Sequence, residues 1–343
     1  MMTLYPLLMA PHFRSGEETP WGGSMLRDAF MKDAPEQTGE SLEVSALPNR
    51  ESMVRNGAHA GKSLGRMIEL WGQDLTGLPA GSDFPLLLKL IDAKETLSVQ
   101  VHPDDIYAGA NEGGKLGKTE AWIVLNCDEG ARLAYGLDTH GKTMQQIVDG
   151  GAEAIEGALN WVNVRPGDVY YIPSGMVHAI GAGMQIYEIQ QSSDVTYRFW
   201  DWGRVGKDGK PRALHTRQAV DVTRADLHLD KIPGTTSLCK GGSRTYYISN
   251  RYFELCRLNV SGKMPVCDGR MLFLTPLGPC TLRWDDEELE LAPFDSVLVP
   301  AAMEGLTIES DDCKVLMSSL PDRAALRAEL GYRAENVAGL MDD

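Results

Sequence analysis

The sequence predicts a mainly β chain, a barrel or sandwich with an additional small helical portion, and three observations carry that reading. From residue 84 onward, short apolar or alternating runs follow one another closely: FPLLLKLI, TLSVQVH, EAWIVLNC, RLAYGL. Turns rich in Gly and Pro separate them, and strands so arranged hide their edges by closing or doubling. Two passages, RPGDVYYIPSGMVHAIG from residue 165 and APFDSVLVPAAMEGLTI from residue 292, repeat the order turn, aspartate, apolar strand, proline, turn. Such an internal likeness is expected of two related barrels.

In chain order, the first 80 residues read as irregular and helical, with three- and four-residue apolar spacings in TPWGGSMLRDAF (19–30) and GKSLGRMIELWGQDL (61–75). The four strand runs then begin, and one helical interruption follows at 142–160. Its stripe of Met144, Ile147, Val148, Ile155 and Leu159 is broken at Gly150 and Gly151. That stripe packs over a sheet. Strands resume in WVNVRPGDVYYIPSGMVHAIG and MQIYEIQQSSDVTYRFWDW. After a linker-like KIPGTTS (231–237), a second series runs through YFELCRLNV, MLFLTPLG, CTLRW, LELAPFDSVLVPAAM and CKVLMSS, and RAALRAELGY closes the chain as a short helix.

Composition bounds the function. With 343 residues the chain can bury a large core, and 48 acidic against 33 basic residues leave a net charge of −15. That balance repels phosphate backbones and anionic bilayers, so no nucleic-acid or membrane partner is expected. Six cysteines without a CxxC pair read as buried free thiols. No leader and no apolar run of spanning length is seen, which predicts a soluble, cytoplasmic protein. Neither GxGxxG nor a Walker pattern is present, so no nucleotide cofactor is expected.

The chemistry gathers in three places. Side chains two apart on a strand share a face, so Ser98, Gln100 and His102 stand together, as do Lys118, Glu120 and Trp122 in GKTEAW. The IPSGMVH turn presents His178 at the start of a strand. Two imidazoles, a carboxylate and an amide oxygen can surround a divalent ion with positions left for water or substrate hydroxyls. The same two histidines can equally be a hydrogen-bonded pair inside a barrel. The second passage has Gly305 near the place of His178 and no histidine, so only the first can hold a metal this way. The remaining His12, His59, His140, His215 and His228 lack comparable neighbours; His12 lies in a stretch that could line a rim. Downstream, YEIQQSSDVTYRFWDWGR brings Glu188, Asp194, Arg198 and Asp201 into one strand-rich segment. Arg198 suits either a phosphate clamp or a structural salt bridge, and Glu188 either an edge charge or a proton-exchanging carboxylate.

Together, FPLLLKLIDAKETLSVQVHPDD, GKTEAW and RPGDVYYIPSGMVHAIGAGMQIYEIQQSSDVTYRFWDWGR resemble the type I mannose-6-phosphate isomerases in their shorter bacterial form, as do TPWGG and GESLEVS. The likeness runs from about residue 10 to 220 and more loosely to Met317. It implies duplicated cupin (jelly-roll) barrels: a catalytic cupin domain over 1–230, a second, metal-free cupin-like domain over 231–320, and a helical tail over 321–343. It also implies one Zn2+ per chain, a sugar-phosphate substrate, and reversible conversion of mannose 6-phosphate and fructose 6-phosphate through a cis-enediolate. By motif, Gln100, His102, Glu120 and His178 would hold the metal, with Gln100 the weakest ligand. Ser98, Lys89, Lys118 and Arg198 would line the substrate and phosphate region; Glu188, assisted by Lys118, is expected to move the proton, with Arg198 in the same catalytic group. The shorter form has only 57 residues between Glu120 and His178, lacking a large helical insertion, which keeps related aldoses or aldose phosphates open as substrates. The trio His102, Glu120 and His178 would also suit a cupin iron oxygenase, and a catalytically silent sugar-binding cupin could use the same barrel. A monomer is expected.

Overall fold

The structure is a computed structural model that describes residues 3–206 and 209–341. It is mainly β with helices, and it divides into two compact units, each assembled from separate stretches of chain: Met1–His12 with Leu42–Leu88 and Ile232–Asp343, and Phe13–Ser41 with Lys89–Lys231. Residues 42–88 thus keep company with the C-terminal strands, although they precede the catalytic motifs in sequence.

The second of these units carries the motifs. A six-stranded sheet runs in the order Val169–Ile172, Glu120–Cys127, Met184–Gln191, Leu86–Ala93, Thr38–Val44, His12–Ser15. A five-stranded sheet runs Tyr197–Trp200, Val99–Val101, His178–Ile180, Arg132–Leu137, Leu159–Asn163. Trp122, Val124 and Ile186 from the first sheet pack with Leu133, Tyr135 and Ile180 from the second in one buried core. The opposite face of the five-stranded sheet, with Val99, Val101, Ala134 and Ala179, is covered by Ile147, Ile155 and Ala158. Those three residues come from the predicted helical interruption, which is two helices, Met144–Asp149 and Gly151–Ala158. Thr143 and Gln146 form a capping box at the first, and Gly151, at φ +67°, turns the chain between them. Burying Val99 and Val101 on that side is what aims Gln100 into the unit, because strand side chains alternate.

In the other unit, a ten-stranded sheet holds the predicted second series, including Glu254–Pro265, Leu272–Pro276, Ser296–Val299 and Thr307–Ser319. Its core joins Leu258, Leu274, Val297 and Met317 with Leu326 and Leu330 of the expected tail helix, Arg323–Leu330. The helix Leu64–Thr76 begins where Ser63 accepts a hydrogen bond from the Arg66 N–H.

Three expectations are corrected. The first 80 residues hold the strands Leu7–Ala10, His12–Ser15, Thr38–Val44 and Met53–Val54, and only Met25–Asp28 of the 19–30 stretch is α-helical. Thr38–Val44 is buried at every position, its Glu40 included, so no polar and apolar alternation marks it. The linker-like KIPGTTS contains the start of a strand, Thr235–Cys239, which pairs with Gly242–Ser249 in a hairpin. All six cysteines are free, but Cys239 is exposed on that hairpin rather than buried, and Cys127 and Cys267 are half-buried.

Candidate metal centre and active site

Strand pairing builds the site as two rows of side chains. In the five-stranded sheet, Gln100 pairs with Arg198 on one side and His178 on the other. In the six-stranded sheet, Arg14, Glu40, Lys89, Glu188 and Trp122 lie on five successive strands. The Trp122 ring meets the His178 ring edge-on at 5.2 Å, which joins the rows.

His102 follows directly on Val99–Val101, and Gly175 of the IPSGMVH turn donates its N–H to the His102 carbonyl at 2.9 Å. That contact seats the turn so that His178 arrives beside His102, with ring centroids 4.9 Å apart. Gly175 has φ +88°, and a Cβ there would lie 2.9 Å from Arg224 and 3.0 Å from the Val222 carbonyl, so the turn requires glycine. Each histidine donates its Nδ1–H to a backbone carbonyl, His102 to Val195 and His178 to Met176, both at 2.9 Å. A carbonyl can only accept, so each ring keeps its Nε2 lone pair for the interior.

Glu120 lies between them. Its Oε1 is 3.4 Å from His102 Nε2 and its Oε2 is 3.8 Å from His178 Nε2. The ligand atoms of His102, Glu120 and His178 all fall within 4.8 Å of one another, and the three residues are at most 1% exposed. Glu120 Oε2 has no hydrogen-bond donor, a condition that a buried carboxylate does not ordinarily keep. Burial holds the His178 imidazole down to about 4 and, with Lys118 and His178 nearby, holds His102 well below its usual range. Both are therefore neutral at pH 7, the form that binds metal. Two oriented imidazole lone pairs, an unsatisfied carboxylate oxygen and outer hydrogen bonds fixing both rings fit a zinc ion. Gln100 stands next to them, its Nε2 3.4 Å from His178 Nε2 and its Oε1 accepting from Ser98 Oγ at 3.3 Å. Among the described residues no second cluster of three such ligands occurs.

Charged groups surround this centre. Lys118 Nζ contacts Glu120 Oε1 and lies 3.4 Å from His102 Nε2. Glu188 receives the Trp122 Nε1–H on Oε2 at 2.8 Å and faces Lys89 Nζ with Oε1 at 3.1 Å. Burial and the like charge of Glu120 push the Glu188 carboxyl up, against the pull of Lys89 and Lys118. Burial alone would lower Lys89, but Glu188 and Glu40 outweigh it and hold the ammonium above its ordinary value. For Glu40 burial is likewise outweighed, by Lys89 and Arg14, and its carboxyl sits at about 2. Arg198 makes no ion pair among the described residues, and its buried Nε has no hydrogen-bond partner.

All the residues expected at the site lie in one unit: Ser98, Gln100, His178, His102, Lys118 and Glu120 are linked in a series of contacts, Lys89 and Glu188 lie beside Trp122, and Arg198 pairs with Gln100 through its strand. Asp194 and Asp201 are engaged elsewhere, by Lys115 and by Arg204 with Arg212. Arg14 and Glu40 escaped the sequence reading. The signal for Glu40 was a charged residue inside an otherwise buried strand, legible only once that strand was known; Arg14 stands on the half-buried strand His12–Ser15, where an arginine carries no signal.

The fold and this centre define a β-rich metalloprotein whose ion is set among lysines and carboxylates. Residues 14–119 match the family model of the phosphomannose isomerase type I catalytic domain. The chain is 37% identical over 328 residues to a putative mannose-6-phosphate isomerase of Bacillus subtilis, covering 93% of this chain and 100% of that one. It is 38% identical over 297 residues to the mannose-6-phosphate isomerase of Streptococcus mutans, covering 85% and 92%. Among solved structures, a mannose 6-phosphate isomerase from Bacillus subtilis superposes with a TM-score of 0.83 at 35% identity, covering 91% of this chain and 99% of that one. The chain belongs to the type I phosphomannose isomerases, metal-dependent aldose–ketose isomerases, and the His102, Glu120, His178 cluster is its zinc centre.

Proposed function

We propose that Glu188 is the base of this isomerase, with Lys118 as its partner in proton transfer and Arg198, Lys89 and Ser98 as substrate-binding groups. The reaction is the metal-dependent interconversion of mannose 6-phosphate and fructose 6-phosphate through a cis-enediolate. In the aldose-to-ketose direction, Glu188 takes the proton from C2, the C1 carbonyl oxygen gains a proton and the C2 hydroxyl loses one, and Glu188 returns its proton to C1. The Lys118 ammonium serves the exchange between the two oxygens. His102, Glu120 and His178 would hold the zinc, with Gln100 completing the set, and the ion would supply positive charge that favours the electron-rich enediolate.

The observation that carries the assignment is the setting of Glu188, a buried carboxyl raised by burial and by Glu120 yet kept ionisable by Lys89 at 3.1 Å. A carboxylate base gains from a pKa raised toward the operating pH, and burial together with Glu120 raises that of Glu188. Arg198, which has no ion pair of its own among the described residues, is suited to clamp the phosphate, whose binding positions the reacting carbons. Two further readings accompany this. The chain is read as a duplicated cupin, with the catalytic copy lying within 1–230, a metal-free copy within 231–320 and a tail over 321–343; the repeated passages at 165 and 292 support it. The protein is a cytoplasmic monomer that avoids nucleic acid and membrane, in keeping with its charge of −15 and with no described helix long and apolar enough to cross a bilayer.

The test is turnover of mannose 6-phosphate, coupled to a downstream dehydrogenase, on chelator-stripped protein before and after zinc is restored. Activity lost and regained is expected, and Glu188→Gln should abolish it with zinc content unchanged. Full activity in that variant would remove Glu188 from the mechanism.

A further inference from the structure

We propose that Glu40, held by Arg14, is a positioning residue that divides the Lys89 ammonium between itself and Glu188 and so keeps Glu188 competent as the base. The inference rests on reading Glu188 as the base. Its warrant is the row across the six-stranded sheet. Arg14 Nη1 grips Glu40 Oε2 at 2.7 Å, which leaves Oε1 for Lys89 Nζ at 3.8 Å, while Lys89 Nζ lies 3.1 Å from Glu188 Oε1. Lys89 therefore has two buried carboxylates on opposite sides, and the arginine fixes how closely the remote one approaches.

The consequence is electrostatic. A carboxylate facing a lysine alone is stabilised in its ionised form and is a weak base. A second carboxylate sharing that lysine, and repelling the first, restores proton affinity. The other groups facing Glu188 are the Trp122 N–H and Glu120 from the neighbouring strand, Lys118 just before it, and His178 from the other sheet. Among them Glu40 acts in the same direction as Glu120, and both oppose Lys89 and Lys118. A row needed only for stability would be costly in this place, since desolvating buried charges consumes most of what their attraction returns.

The experiment is steady-state kinetics over pH on the zinc-loaded enzyme for Glu40→Gln, Glu40→Asp, Arg14→Met and Glu188→Gln, with zinc content and thermal unfolding measured on each. Glu40→Gln should lower kcat about five- to twentyfold at neutral pH with KM within about twofold, and should move the acid limb of kcat to lower pH. Arg14→Met, which frees Glu40 to approach Lys89, should move that limb to higher pH, and Glu40→Asp should stay near the parent enzyme. Limbs that do not move, or that move the same way in Glu40→Gln and Arg14→Met, would overturn the inference. If Glu40→Gln does not fold, the sign of the Arg14→Met shift decides alone. An inactive Glu188→Gln beside unmoved limbs rejects the role of Glu40 only, whereas an active Glu188→Gln rejects the base assignment.

Discussion

Replacing Glu120 with Gln should destabilise the chelated protein far more than an isosteric change at a polar site ordinarily does, and a second replacement at Lys118 should undo most of the damage. Glu120 is 1% exposed and Lys118 5%, and their charged ends are in contact. An exposed pair of this kind contributes at most about 1 kcal/mol. Unit charges about 4 Å apart at an effective dielectric of about 20 attract by about 4 kcal/mol, and removing one partner of a buried pair costs about 3–5 kcal/mol because the other is left uncompensated. In a unit of this size that loss lowers the thermal midpoint by about 6–20 °C. Tryptophan fluorescence is the readout, since Trp21, Trp122, Trp161, Trp200 and Trp202 all lie in the unit that holds the site. Glu120→Gln and Lys118→Met should each show the loss, and the double variant should recover at least about 2 kcal/mol relative to their sum. None of the Glu120→Gln variants should retain zinc. Single losses under about 1 kcal/mol, or a double variant that is simply additive, would refute the buried ion pair as the organising contact.

Three further outcomes follow from the same geometry. In chelated protein His178 is buried neutral with its imidazole at about 4, whereas the unfolded chain protonates it near the ordinary value of about 6.5, so stability complete above that pH should fall as pH drops from about 6.5 towards about 4, and His178→Gln should flatten that slope in urea titrations. Arg198→Lys should raise KM for mannose 6-phosphate about ten- to a hundredfold with little change in thermal midpoint, since Arg198 has no ion pair among the described residues to lose; an unchanged KM would remove it from the phosphate site. A thiol reagent added to folded protein should modify Cys239 first, as the exposed cysteine of the six, with Cys256, Cys280 and Cys313 reacting only on unfolding, checked by peptide mass mapping.

Legibility varied with what each residue depends on. Ser98, Gln100 and His102 could be placed on one face from parity, because Val99 and Val101 between them need the apolar side and a strand offers only two faces. The helix pair at 144–158 and its break were readable from an apolar stripe interrupted by two glycines. Thr38–Val44 was not readable, since its buried Glu40 is satisfied by residues far away in sequence, Arg14 and Lys89. The hairpin at 235–249 hid behind a linker-like composition because its edge strand leaves Ser237 half-buried and Leu238 and Cys239 exposed, and exposed strands lack an apolar signature.

What the sequence by itself determined were the local contributions: strand and helix periods, the turn that only Gly175 can make, the acidic excess in the charge total, and the residue types able to hold zinc. The tertiary structure alone decided which charges meet. Pairing of Met184–Gln191 with Glu120–Cys127 sets Glu188 opposite Trp122, and pairing of Val99–Val101 with both Tyr197–Trp200 and His178–Ile180 sets Arg198, Gln100 and His178 in line. The proton affinity of each buried group is a sum over such neighbours, and those neighbours are drawn from strands up to 174 positions apart, as Arg14 and Glu188 are. Register between distant strands is chosen by the packing of whole sheets, a quantity no local window of sequence contains.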